Sequence, residues 1–149
     1  MYLIYVLPVI LYGLDCIAWT KKLSERIEVF QNHLMRFITG RRLIDKTKIT
    51  TLRRLTGLPP LFDKVKSKTL KLYGHVKRSS SGLSKACFEG LVKGKRSRGK
   101  PKQRWRDNIL EWSSINDWST ANQLCQDREA WRSISHVGSQ SATSGGCDL

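Results

Sequence analysis

The stretch TKKLSERIEVFQNHLMRFITG, residues 20–40, decides the fold class. Its apolar residues Leu23, Ile27, Phe30, Leu34 and Phe37 follow one another at steps of 4, 3, 4 and 3, which lays them along one stripe of a helix. Thr20 stands where an N-cap belongs, and Gly40 stands where a left-handed residue ends a helix. The spacing predicts a helix to about Thr39 with that stripe turned to a core.

Downstream the pattern repeats. Thr47 is placed to cap a short helix from Lys48 to Thr56, with Ile49, Leu52 and Leu55 inward and Gly57 closing it. Pro59-Pro60 forces a turn, because proline fixes its own φ and restricts the residue before it. A third helix is predicted over roughly Phe62–Lys77, with Val65, Thr69, Leu72 and Val76 as its stripe and Gly74 as a mild weakness. Two helices across such a turn have the outline of a helix-turn-helix, in which Lys64, Lys66 and Lys68 would begin the recognition helix; a plain helical hairpin has the same outline.

Beyond residue 78 the signals weaken. Ser79 to Leu83 is a polar link, and Ala86 to Val92 reads as a strand or a single turn. Pro101 fits the first turn of a helix to about Ser113, in which Trp105, Ile109 and Trp112 share a face. Ser119 is placed to cap a last helix to about Ser135, carrying Ala121, Leu124, Arg128, Trp131 and Ile134. The tail from Gly138 is small and polar and is expected to be disordered. The expectation is a mostly α protein: a small helical bundle, a basic linker, two further helices and a tail. Its units are 1–20, an apolar segment; 21–78, the bundle; 79–104, the linker; 105–135, the second helical region; and 136–149, the tail.

Charge divides the chain sharply. Residues 21–106 hold 25 basic and 5 acidic side chains, whereas residues 107–149 hold 2 basic and 6 acidic, within a net charge of +15. The densest part is KGKRSRGKPKQRWR, residues 93–106, with eight cations and no acid: Lys93, Lys95, Arg96, Arg98, Lys100, Lys102, Arg104 and Arg106. Like charges at this density keep a segment extended, and its small residues let it bend along a phosphate backbone. Arg53, Arg54, Lys64 and Lys68 are candidate contacts on the helices upstream. The partner expected is RNA or DNA, with an anionic membrane surface as the second candidate; a solvated loop or an import signal would share the composition. Trp105 offers either a face for base stacking or, with Ile109 and Trp112, a core anchor.

Other chemistries find no support. The four cysteines are far apart and form no CxxC pair, and no Cys/His cluster has zinc-ligand spacing, so reduced thiols, no metal and an intracellular location, nuclear or cytoplasmic, are expected. Residues 1–14, MYLIYVLPVILYGL, are too short to span a bilayer and lack the basic flank and cleavage site of a signal peptide; no membrane is expected. They read as a buried strand or helix end that continues from something upstream. There is no Gly-rich phosphate loop, nucleophile motif or HExxH, and no paired-Asp strand turn to hold divalent metals; Glu25 and Glu28 share a helix face but read as surface ion pairs with Lys22 and Arg26. The residues predict no catalysis, no cofactor and no small-molecule substrate.

Six blocks occur in order: VLPVILYG (6–13), AWTKKLSERIEVFQNHLMRFITG (18–40), LRRLTGLPPL (52–61), LKLYGHVKR (70–78), KGKRSRGKPKQRWRD (93–107) and DREAWRS (127–133). Together they resemble the C-terminal part, the thumb and the region just beyond it, of the endonuclease-reverse transcriptase encoded by LINE-type (non-LTR) retrotransposons. In that family the blocks read much like YGxExW, RTGxPPL, GHVxR and GKRSRGRPxxRWxD. Here Ile17 and Ala18 precede Trp19, where the family more often has Trp earlier. The resemblance implies a helical bundle that grips nucleic acid and packs on the upstream part of an RNA-directed DNA polymerase. It brings no activity, because the family's paired catalytic aspartates lie in a part this chain does not contain. The alternative reading is a helical protein-interaction module whose segment 93–106 is a nuclear-import signal.

Overall fold

The computed structural model describes residues 2–80, 82–89, 94 and 104–137. Among them the chain is mostly α, with no strand. After a π-helical turn, Tyr2–Val6, come α1 (Leu7–Ile10), α2 (Lys21–Thr39), α3 (Ile49–Thr56), α4 (Leu61–Arg78), α5 (Leu83–Glu89), α6 (Trp105–Ser113), α7 (Trp118–Leu124) and α8 (Arg128–Val137). Tight 3-10 turns at Leu14–Cys16 and Leu43–Asp45 join α1 to α2 and α2 to α3. The expected tail, 136–149, lies outside the described residues from 138 onward.

Everything is arranged around α4. It packs against α2, α5, α6, α8 and the Leu14–Cys16 turn, and nine of its residues are buried, from Leu61 to Val76. Lys64, Lys71 and His75 stay exposed at steps of 7 and 4, along one stripe of the helix. A helix-turn-helix would set the preceding helix against the start of α4. The preceding helix, α3, packs on α2 instead. The heart of the core is Leu70, Tyr73, Ile109, Cys125 and Trp131. Tyr73 meets four aromatic rings, those of Phe88, Trp105, Trp118 and Trp131, at centroid distances of 5.4, 6.4, 5.5 and 5.2 Å. One cluster thus joins α4 to the helices after residue 104, and the units drawn at 21–78 and 105–135 share a core.

Gly74 permits this arrangement. A Cβ there would collide with Cδ1 of Trp131 and come within 2.7 Å of its Nε1. The indole lies against the bare backbone and its Nε1 donates to the Leu70 carbonyl at 2.7 Å. The glycine that weakens α4 by propensity is therefore required for α8 to dock.

Two buried amides stitch distant segments. Asn108 on α6 accepts from the Trp19 N–H and donates to the Trp19 carbonyl, both at 2.9 Å. Gln31 on α2 donates to the Pro59 carbonyl at 2.7 Å and accepts from the Leu61 N–H at 2.8 Å. The second pairing sets the rotation of α2. Gln31 and Met35 are its buried residues, while Phe37, placed on the core stripe by spacing, is 85% exposed and Phe30 is exposed as well. On α3 only Leu52 is buried; Ile49 and Leu55 are exposed, contrary to the expected inward set.

Helix ends differ in detail. Gly40 and Gly57 close α2 and α3 in the left-handed region, at φ 65° and 61°, as expected. The residue preceding α3 is Lys48 rather than Thr47, and Thr20 makes no side-chain cap bond. The expected link includes a helix, α5, whose Phe88 packs on the core. The single helix expected from Ser119 is two: Asp117 caps α7 by accepting from Thr120 N–H, and Asp127 starts α8 by accepting from Glu129 N–H at 2.9 Å. Near the start, Pro8 sits in the first turn of α1, where its missing N–H costs nothing. Ile4, Tyr5, Val9 and Tyr12 are exposed, and the segment is helical rather than a strand.

Candidate nucleic-acid interface

Six of the eight cations in the 93–106 run, Lys93, Lys95, Arg96, Arg98, Lys100 and Lys102, lie outside the described residues. Its last two are placed. Arg104 is the N-cap of α6 and is exposed, with its backbone N–H donating to the Asp107 carboxylate at 2.9 Å. Arg106 is exposed one residue into the helix, its Nε 3.8 Å from Asp107. Between them Trp105 turns inward: its Nε1 donates to the Asp15 carbonyl at 2.8 Å, and its ring meets Phe88 edge-on at 5.3 Å. The core reading of Trp105 holds, and α6 splits the two arginines from the tryptophan by its own periodicity.

The upstream candidates separate into two places. Arg53, Arg54 and Lys64 gather at the corner where α3 gives way to α4. Arg54 and Lys64 are exposed, whereas Arg53 is partly covered and its Nε makes no hydrogen bond. Close by, burial raises the Asp63 carboxyl above its ordinary range, and Lys66 and Arg53 pull the other way. Lys68 is committed elsewhere. Its Nζ donates to the Leu11 carbonyl at 2.9 Å and lies 3.6 Å from Asp15. It ties the first residues to α4, so it is a structural contact and a weak candidate for phosphate.

One cationic cluster escaped the sequence reading. Residues 36–54 carry seven basic side chains and one acid, and Arg41, Arg42, Lys46 and Lys48 are all exposed around the Leu43–Asp45 turn. The acid, Asp45, accepts from the Arg42 N–H at 2.7 Å. Arg36 reaches the Thr47 carbonyl and fastens the turn to α2. Local charge density was the available signal; interruption by Leu43, Ile44 and Asp45 hid it.

Neither a metal centre nor a membrane span is built from the described residues. No group of three or more His, Cys, Asp or Glu among them is placed to hold a metal ion, and none of their helices is long and apolar enough to cross a bilayer. Comparison with family models, curated proteins and solved structures returned no significant match.

Proposed function

We propose that this chain is a sequence-tolerant RNA- or DNA-binding module of the LINE-type reverse transcriptase class, equivalent to its thumb and the region beyond, with no polymerase site of its own. The observation that carries the reading is charge segregation: net +20 over residues 21–106 against net −4 over 107–149. Surface placement supports it, since Arg41, Arg42, Lys46, Lys48, Arg54, Lys64, Arg104 and Arg106 are exposed. Three of these cations sit on α-helices and five at helix ends and turns, and counter-ion release on contact with phosphates supplies affinity without reading bases. The six blocks in family order add the link to a reverse transcriptase.

The test is a salt titration of binding to single-stranded RNA, single-stranded DNA and duplex. A slope of log K against log salt near −4 is expected if about five cations meet phosphates. Binding that ignores salt would overturn the proposal. A second reading, a helical protein-interaction module with an import signal at 93–106, is favoured by one feature. Phe37, Ile38, Leu43 and Ile44 are all exposed at the α2–α3 corner, and grouped exposed apolar side chains mark interaction surfaces. That reading predicts affinity that survives high salt.

A further inference from the structure

A cavity of about 610 Å³ opens between α4, α5, α6 and the Leu14–Cys16 turn. This is the size of a small-ligand pocket. Its walls are apolar and partly aromatic, formed by Leu72, Val76, Phe88 and Trp105. Arg104 and Arg106 also line it, and both are exposed, so they form its solvent side. These are the last two cations of the 93–106 run.

We propose that the cavity receives an unpaired nucleobase of a single strand, with the flanking phosphates on Arg104 and Arg106. The inference rests on the nucleic-acid reading above and gives that site a second component. A nucleotide is flat and apolar-faced at one end and anionic at the other, which matches aromatic walls with cations on the solvent side. Unstacked bases are commonly held this way, against aromatic rings beside a backbone groove. The walls are preformed: Trp105 is fixed by its bond to Asp15, and Phe88 packs on Tyr73 at 5.4 Å. The lining carboxylate, Glu89, is already satisfied by Lys77 at 3.4 Å, which lessens its repulsion of a phosphate.

Cys87 lines the cavity and its residue is exposed, so its thiol reports occupancy. Cys125 is buried and serves as a folding control. The full chain is treated with a maleimide, and Cys87 labelling is followed by mass spectrometry. Three additions are compared: a thymidine oligomer of ~12 nucleotides, within the usual single-strand site size, an abasic oligomer of equal length, and thymidine monophosphate. The base-bearing strand is expected to slow Cys87 labelling about fivefold or more, the equivalent of one stacked base. The abasic strand, bound through phosphates alone, should leave the rate near that of the free protein. In Cys87→Trp, which fills the cavity, the affinity gap between the two strands should close.

Equal protection by both strands, or by neither while both bind with a salt-dependent affinity, overturns the pocket and leaves the phosphate reading standing. Protection by the monophosphate but not the strand also overturns it, in favour of a free-nucleotide site. Absence of any salt-dependent binding removes the nucleic-acid reading, and the inference with it.

Discussion

Asn108 satisfies both backbone polar groups of Trp19, a residue 89 positions earlier, through two hydrogen bonds of 2.9 Å. Both partners are buried, at 2% exposure each. Water cannot replace these bonds, and each unpaired buried group costs about 1–3 kcal/mol. Asn108→Leu should therefore lower stability by about 2–5 kcal/mol, read from the urea midpoint at unchanged m. A loss under about 0.5 kcal/mol, typical of surface changes, would show that the pairing carries no weight.

Gly74→Ala sets two effects against each other. Helix propensity favours Ala by about 1 kcal/mol. Against this, the new Cβ would meet Trp131, costing about 1–3 kcal/mol in overpacking and weakening the indole bond to Leu70. The clash should win, lowering the melting temperature. A stabilised Gly74→Ala would mean that α8 moves aside freely.

Burial pushes the Cys125 thiol up from 9.0 to about 12. The thiol is neutral when protonated, and the folded state holds its proton more tightly than the unfolded chain does. Its contribution to stability is thus fully present below pH 9 and is lost between 9 and about 12. Denaturation midpoints across that window should fall less steeply in Cys125→Ala than in the parent. Parallel profiles would assign the alkaline loss to other groups.

Changing Arg96, Arg98, Lys100 and Lys102 together to Ala should flatten the salt slope by about 3 units, at 0.7–0.9 per phosphate contact. If the slope holds, attention moves to the Arg41, Arg42, Lys46 and Lys48 cluster.

Removal of residues 1–10 should raise solubility, because it takes away exposed Ile4, Tyr5 and Val9. It spares the Leu11 and Leu14 carbonyls, which accept from Lys68 and Trp19 at 2.9 and 3.0 Å. Deleting 1–14 removes both acceptors and should cost about 1–3 kcal/mol more. Identical melting of the two truncations would count against that role of the two carbonyls.

The helical class and the ends of α2 were legible because they depend on local chemistry: spacing, and a glycine able to turn left-handed. The rotation of α2 was not. A polar Gln31 is buried in place of Phe30 or Phe37 because the backbone at Pro59 and Leu61 needs its amide, and no local pattern carries that. Gly74 was misjudged for the same reason, since Trp131 lies far along the chain. The break between α7 and α8 was missed although Asp117 and Asp127, both good cap residues, marked it. At the candidate interface, the composition of 93–106 was plain, while the cavity beside Arg104 depends on α4, α5 and α6 meeting.

The central position of α4 has a consequence for how the protein is made. Synthesis delivers α4 well before α6 and α8, yet Leu70 and Tyr73 are covered by Ile109 and Trp131. A growing chain therefore carries a sticky, half-dressed helix until Trp131 has emerged. Chains released early would keep that surface bare and be prone to aggregate. A product that lacks Trp131 cannot cover Leu70 and Tyr73 in this way.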